Sequence, residues 1–594
     1  MNKTKTLKMI GLLISVVATL CLTALYLPPL QTALIALVER LKGDDITDIF
    51  WKKQMSAFAT CTILFLAILN LVLWTKKGRD IFSAFCAAVK KEFSFVVQNK
   101  KYFIFLLAVY FIGYFTIIRG NFCYIAVDDL SRQLEGDRDW VNWYRYIDEF
   151  GSILIHTSPR LIDIAPLTQF IALFFVALAS FITVQNATNN KMGYMACVAS
   201  IPIGLFPYFL TNMAYRFDSP YMAFSVLACA APFVFVNNKS NYIIASVIGL
   251  LAMCTSYQAS SGFYIVLTMF TALKMILDKD NWKEIGKYVL ISMLCFVGTL
   301  IFFNLTFMEY NLTFTERDFK KDYVDEMVNV SNIAVNVKNY ISLIWDGLGK
   351  SALKPLLVLS IFFGLACNVL FSKQGKIQAL VLSVAFYVLA APLSYGVYLA
   401  LGTPLWHPRA MYGIGFFVAC ALLLIAGNIE SNNGCVKTIS KILILATGYC
   451  CLAFAFAYGN AQFQQNKYAE FRMMLVTNDL SKIIPNDKLN EPKEILFENS
   501  VDYAPAAESL LASYPLSRKC IDRYSSGANG SQNILRYLGF LELQNGGSHH
   551  LKKEDIPLLL ETTFHNIYGS GDKYLVSFKN EPLKVIRTRG FVDE

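Results

Sequence analysis

The residues best suited to chemistry lie in one acidic stretch, Tyr124–Trp140, which reads YIAVDDLSRQLEGDRDW. It follows the apolar run Tyr102–Ile118 after five residues and holds four aspartates, one glutamate and two arginines. Asp128 and Asp129 are adjacent, so on a helix their side chains point about 100° apart. One can face a site while the other caps the following helix or pairs with Arg132. The pair therefore predicts one catalytic carboxylate. Asp129 is slightly favoured, but the adjacency of the two residues prevents a choice from sequence alone.

Transfer of a sugar from a lipid phosphate is a reaction that suits such a carboxylate. The phosphate leaves without a proton, so one base that takes the acceptor proton is enough. Positive charge must hold the departing phosphate. Four arginines near the ends of apolar segments are candidates for this role: Arg132, Arg145, Arg216 and Arg409. The alternative for each is an interfacial or salt-bridged arginine, and Arg216 could simply pair with Asp218.

Other polar residues at the ends of apolar segments are weaker candidates for substrate binding. They are Glu135, Asp218, Tyr257, Gln258 and His407, of which Glu135, Asp218 and His407 are also reserve candidates for the base. A lone histidine at a membrane interface is more often structural. Asp137 and Asp139 form a D-x-D pattern that some sugar transferases use for a divalent metal, but a pattern this short recurs by chance. No metal or other cofactor is otherwise indicated.

The composition places the chain among membrane proteins. Of its 594 residues 55% are hydrophobic and only 16% charged, whereas soluble proteins carry about 25% charged residues. The net charge of +10 does not indicate nucleic-acid binding, because the basic residues form short clusters between apolar runs and no basic stripe or RNA-binding motif is present.

Apolar segments long enough to approach a bilayer span recur along the chain. We expect about thirteen transmembrane helices, at residues 9–27, 55–75, 102–119, 166–184, 192–210, 220–236, 242–257, 262–277, 288–307, 354–371, 379–400, 411–427 and 442–459. Lysines and arginines cluster in alternate loops, most densely in 76–101, which predicts that these loops are cytoplasmic. The acidic loop 120–165, the turn 211–220, the segment 308–352 and the loop 403–410 then lie outside.

The residues after the last span have an ordinary globular composition and are also predicted to lie outside. The segments 493–500 and 573–580 are expected as strands, and 506–514 and 531–543 as helices, which together indicate a small α/β domain. The chain is thus divided into an N-terminal two-span addition with a basic loop (1–101), a multi-span core (102–459) and an extracytoplasmic C-terminal domain (460–594).

Several motifs together resemble the glucosyltransferase II family, the phage-type enzymes that glucosylate O-antigen and convert bacterial serotype. They are VDDLSR, DIAPLTQ (163–169), NMAYRFDSPYMAFS (212–225), TSYQASSGFY (255–264), HPRAMYGIGF (407–416) and YGNAQFQQN (458–466). The resemblance covers about Tyr102 to Leu480. The motifs are specific when taken together, but none is specific alone. The family typically has Gly-Arg after the tryptophan, where this chain has Tyr144-Arg145.

The resemblance implies a multi-span glycosyltransferase fold of the C type in the bacterial inner membrane. It further implies a polyprenyl-phosphate-linked glucose donor, a lipopolysaccharide or other polysaccharide acceptor, and reaction on the periplasmic face, with the base at Asp128 or Asp129. The alternative is a transporter or flippase for a lipid-linked saccharide. A transporter would need charged residues deep within its spans, and these spans are nearly free of charge. A structural scaffold would leave the clustered carboxylates unexplained.

Overall fold

The computed structural model describes residues 75–120, 128–308, 330–427, 429, 433–485, 493–523, 530–539 and 551–579. The first expected span, 9–27, lies outside these residues, and so does all but the last residue of the second, 55–75.

The described chain is mostly helical and is built around long apolar helices. Eight are long and apolar enough to cross a membrane: Lys100–Gly120, Leu167–Ala187, Gln258–Leu277, Trp282–Met308, Leu353–Phe371, Lys376–Leu393, Pro408–Ala426 and Gly434–Ile483. Three shorter apolar helices are Tyr194–Leu205, Ser219–Phe235 and Lys239–Cys254. Together they coincide with the expected segments from 102–119 onward, which confirms a helical membrane protein. The total of thirteen spans stays a prediction.

Shorter helices connect and cover this helical body. The basic segment expected as a loop is itself the helix Lys76–Gln98, followed after one residue by the first long helix. The others are Leu130–Glu135, Tyr146–His156, Leu210–Ala214, Ile333–Gly347, Glu508–Ser513, Ser517–Cys520 and Gly530–Tyr537. Single 3-10 turns occupy Trp140–Trp143, Gly396–Ala400, Pro505–Ala507 and Lys553–Asp555.

The last long helix joins the helical body to the C-terminal part of the chain. Gly434–Ile483 has 50 residues, and at 1.5 Å per residue it extends for about 75 Å, far more than a bilayer requires. It is continuous through position 460, where the sequence suggested a domain boundary. Its far end buries Ala469, Met473 and Val476 against the C-terminal sheet.

The C-terminal sheet has four strands, β1 (Glu494–Glu498), β2 (Leu558–Glu561), β3 (His565–Ser570) and β4 (Lys573–Phe578), in the order β1-β4-β3-β2. The two strands expected from sequence, β1 and β4, pair in parallel, and β3 joins them to β2 through antiparallel pairing. The helices expected at 506–514 and 531–543 appear as Glu508–Ser513 and Gly530–Tyr537. The pattern did not predict β2 and β3.

Glycines bring the helices that carry the polar loops close together. At Gly413, just after the 407–409 loop, an added Cβ would lie 1.7 Å from the carbonyl oxygen of Ser394, and at Gly262 it would lie 1.8 Å from the same atom. Only glycine permits backbones to approach so closely. The backbones at Gly262 and Gly413 therefore both pack directly against the backbone at Ser394.

Candidate active site at the polar end of the helical body

Three polar connecting segments, which contain short helices and are called polar loops below, meet at one end of the helical body, which we name the polar end. They are residues 128–163, 211–218 and 403–409. The carboxylate of Asp128 lies 3.5 Å from a guanidinium nitrogen of Arg409. Asp129 accepts hydrogen bonds from the backbone N–H of Arg216 at 3.1 and 3.3 Å, and Arg132 forms an ion pair with Asp218. The polar segments that the alternation of basic loops assigned to one side of the membrane therefore lie together in space.

The two adjacent aspartates occupy different environments. The side chain of Asp128 is 39% exposed, whereas Asp129 is 0% exposed. Asp129 stands immediately before the helix Leu130–Glu135 without making a side-chain capping hydrogen bond, and its oxygens instead fix the backbone at Arg216. We infer that Asp128 is the carboxylate available to a substrate, while Asp129 joins two loops.

The ion pair between Arg132 and Asp218 is part of a buried cluster around Trp140. The indole N–H of Trp140 donates to Asp218 at 2.5 Å, and the Arg132 guanidinium lies 4.5 Å above the same indole ring. Trp140 is completely buried, and its ring meets that of Tyr221 edge-on. Asp218 is thus committed to Arg132 and Trp140, which excludes the pairing with Arg216 that the sequence left open.

Arg216 pairs instead with Asp163, a residue of the DIAPLTQ segment. Its Nε lies 3.1 Å and its Nη2 2.5 Å from one oxygen of that carboxylate. The side chain of Arg216 is only 7% exposed. Its backbone belongs to the same cluster as Asp128 and Arg409, but its guanidinium is already neutralised by Asp163.

Arg409 is the arginine closest to the accessible carboxylate. It donates to the hydroxyl of Tyr215 at 2.6 Å, and its backbone carbonyl accepts from Tyr257 at 3.1 Å and from Asn212 at 3.2 Å. Its side chain remains 31% exposed. Arg409 is therefore rigidly held at the backbone yet open to a ligand.

His407 supports this loop. Its Nδ1 accepts the backbone N–H of Arg409 at 3.3 Å. Burial, reinforced by the positive charge of Arg409, lowers the pKa of His407 to about 4. The imidazole is thus neutral near neutral pH, and its Nδ1 is used as an acceptor within the loop, so His407 is better suited to holding Arg409 than to acting as the base.

Arg145 lies beside the cluster, with its guanidinium 4.6 Å above the ring of Tyr257. Three residues later, Asp148 is 1% exposed. Within the part of the chain that the structure describes, neither Nε of Arg145 nor Oδ1 of Asp148 has a hydrogen-bond partner. Burial raises the pKa of Asp148 well above its ordinary value, although the charge of Arg145 opposes this.

Two of the predicted substrate-binding residues are bonded to other partners than Asp128. Glu135 forms an ion pair with Arg536 at 2.7 Å, on the side of the helix Leu130–Glu135 that faces the C-terminal part of the chain. Gln258 donates to the carbonyl of Cys254 at 2.8 Å. Among the described residues, no group of three or more His, Cys, Asp or Glu side chains could hold a metal ion, Asp137 and Asp139 included.

Sequence reasoning missed three residues of the polar end: Asp148, Asp163 and Tyr215. Asp163 lies in a motif that carried the family resemblance, and this was the available signal. Asp148 lies one helical turn after Arg145, a spacing that places the two side chains on one face. Tyr215 precedes Arg216, and no pattern distinguishes its hydroxyl from those of the many other buried tyrosines.

Fold and site together define the class of this protein: a helical membrane protein with an ionisable site at one end of its helices. The buried Asp, Glu, Lys and Arg side chains of the described residues lie at this end or in the C-terminal part: Asp129, Asp148, Glu149, Arg216, Asp218, Arg472, Lys493 and Glu494.

The profile of the glucosyl transferase GtrII family matches residues 120–420, about half of the chain, and the chain belongs to this family. The match includes every polar loop described above. The chain is also similar to the "uncharacterized 55.3 kDa protein in gtrB 5′ region" of Salmonella phage P22, at 25% identity over 431 residues, which are 67% of this chain and 82% of that protein. No solved structure matches the chain significantly.

Proposed function

We propose that this protein moves glucose from a polyprenyl-phosphate donor to a bacterial O-antigen or a related polysaccharide, with Asp128 as the base. The observation that carries the proposal is the pairing of an accessible carboxylate, Asp128, with Arg409 within a family of glucosyl transferases. The phage origin of one relative and the resemblance to serotype-converting enzymes support O-antigen as the acceptor.

The reaction needs little from the protein beyond a base and a phosphate site. An acceptor hydroxyl attacks C1 of the glucose, a new C1–O bond forms, and the bond from C1 to the phosphate oxygen breaks. The acceptor proton passes to Asp128, and the bonding electrons leave with the polyprenyl phosphate. A positioned base typically accelerates such a step by about 10²–10⁴-fold.

Arg409 is the group best placed to bind the leaving phosphate. It is close to Asp128, is held by Tyr215 and the backbone contacts of its loop, and keeps an exposed face. Arg145, fixed over Tyr257, is the second candidate, whereas Arg132 and Arg216 are occupied by Asp218 and Asp163.

The proposed architecture is the C type of glycosyltransferase in the bacterial inner membrane, with the polar end and the C-terminal part on the periplasmic face. The basic residues of Lys76–Gln98 support this orientation, because positively charged segments stay in the cytoplasm. A lipid donor and a water-soluble acceptor can meet only at an interface. A flippase finds less support, since it would need buried charge within the body of the helices, where the described residues have none.

The test is an assay of membranes that contain the full chain, supplied with radiolabelled polyprenyl-phosphate glucose and isolated O-polysaccharide. Label should pass into the polysaccharide. Arg409→Gln should slow transfer by about 10–100-fold, because a hydrogen bond to a charged group contributes about 1.5–3 kcal/mol, and Arg409→Lys should restore part of the rate. Lys482→Gln, which removes an exposed cation from the far end of the long helix, is the control. Absence of transfer by the wild type to any polysaccharide would reject the proposal.

A further inference from the structure

The segment 501–523, which we name the mouth segment, belongs to the C-terminal part of the chain but packs on the helical body. Its buried residues Leu510, Leu516 and Ile521 join the core of the long helices, whereas the sheet has a separate core. The backbone N–H of Leu516 donates to the carbonyl of Gly347 at 3.0 Å. The hydroxyl of Tyr458 donates to the carbonyl of Cys520 at 3.1 Å.

The end of the mouth segment reaches the loop that carries Arg409. The ammonium group of Lys519, whose side chain is exposed, donates to the carbonyl of Trp406 at 3.3 Å. Asp522 follows at the same end. Burial raises the pKa of Asp522; the neighbouring Arg523 opposes this rise, and the negative charge of Asp128 adds to it. Lys519 therefore lies against the loop whose Arg409 contacts Asp128, and Asp522 follows it by three residues.

Attachment of the mouth segment does not require these charges. Apolar side chains and backbone hydrogen bonds already attach it: Leu510, Leu516 and Ile521 are buried, and the contacts at Gly347 and Tyr458 use main-chain atoms of the segment. Lys519 donates one hydrogen bond to Trp406 and has two further N–H groups, and the side chain of Asp522 is only partly buried. Moreover, the segment lies beyond residues 120–420, the part that matches the family.

We propose that Lys519 and Asp522 form an acceptor subsite that binds hydroxyl groups of a polysaccharide and directs one of them to Asp128. This inference rests on the proposed function and adds the determinant of acceptor choice. A carboxylate accepts hydrogen bonds from sugar hydroxyls and an ammonium group donates to their oxygens, which is the chemistry that these two residues offer. The helical body then supplies the donor site and the base, and the mouth segment selects the acceptor.

Binding of polysaccharide to the purified full chain, without donor, tests the subsite. The probe is a panel of fluorescently labelled bacterial O-polysaccharides, titrated by anisotropy. At least one should bind the wild type, and Lys519→Gln combined with Asp522→Asn should weaken that binding by 10-fold or more. Lys519→Arg alone, which keeps the cation, should stay within about threefold.

The matched control is Arg518→Gln combined with Glu508→Gln, which removes an exposed ion pair of 3.2 Å from the same segment. It should leave affinity within twofold, and thermal melts should show that all variants are folded. Equal affinity of the wild type and the Lys519/Asp522 double variant, or no binding of any polysaccharide by the wild type, would overturn the subsite. Failure of glucose transfer with saccharide binding intact would instead reject the proposed function and leave the subsite standing.

Discussion

Two groups of ionisable residues lie side by side at the polar end, and they differ in how fully their hydrogen-bonding capacity is used. Around Trp140, the carboxylate of Asp218 is buried and meets both Arg132 and the indole N–H. Around Arg409, the carboxylate of Asp128 is part-exposed, and its ion pair with Arg409 is long, at 3.5 Å. The first group is a structural joint between loops. The second keeps free capacity for a substrate, which is why we place the chemistry there.

The largest effect is expected when the accessible carboxylate is neutralised. Asp128→Asn keeps the size of the side chain but removes the base, so transfer should fall by at least about 100-fold with little change in the melting temperature. Asp129→Asn is the matched neighbour. It weakens the charge-assisted bonds to the Arg216 backbone, so it should lower stability or membrane levels and, at matched protein amounts, change transfer less than Asp128→Asn does. Reversed results would make Asp129 the base.

Asp218→Asn tests the group around Trp140, in which the carboxylate already has two partners. It leaves the Arg132 guanidinium, whose side chain is only 16% exposed, without the carboxylate that it pairs with, and breaking a buried pair typically costs about 3–5 kcal/mol. We therefore expect poor accumulation in the membrane, or a melting temperature lower by several degrees, before any catalytic defect. A variant that accumulated normally but transferred no glucose would show that Asp218 contacts substrate. It would also remove the distinction between the two groups.

The same contrast explains what the sequence could predict. Hydropathy is a local property, so the apolar helices from Lys100 onward and the strands β1 and β4 were predicted close to their observed places. The pairings are not local: Asp128 and Arg409 are separated by 281 positions, and their contact depends on how the helices pack. The choice between Asp128 and Asp129 depended on exposure, which adjacency in sequence cannot supply. Arg216 was predicted to bind phosphate but pairs with Asp163, and this pairing also depends on how the helices pack.

Asp148 allows the buried environment of the polar end to be tested by pH. Its pKa is raised in the folded chain above the value of about 3.9 in an unfolded chain. The folded state therefore holds this proton more tightly, and its stability decreases as pH rises from about 4 through the raised pKa. Asn cannot ionise, so Asp148→Asn removes this decrease.

The measurement for Asp148 is the apparent melting temperature in detergent between pH 4.5 and 8. As pH rises, the melting temperature of Asp148→Asn should increase relative to that of the wild type. Asp280→Asn, an exposed residue on a loop, removes the same formal charge and should run parallel to the wild type. A constant gap between Asp148→Asn and the wild type across this pH range would mean that Asp148 is ionised throughout.

The smallest effect is expected at the contact between the polar end and the C-terminal part. Glu135 and Arg536 are 39% and 35% exposed, and exposed ion pairs contribute about 0.2–1 kcal/mol. Leu130, on the same short helix, is buried with Met473 and Ile534, and truncation of a buried leucine costs about 2–5 kcal/mol. Glu135→Gln should therefore lower the melting temperature by no more than a few degrees and keep transfer within about twofold, whereas Leu130→Ala should destabilise clearly. A 10-fold or larger loss of transfer by Glu135→Gln at an unchanged melting temperature would contradict this expectation. Glu135 would then act on substrate, as its position after the aspartates first suggested. The group of residues that contact substrate would extend beyond Asp128 and Arg409.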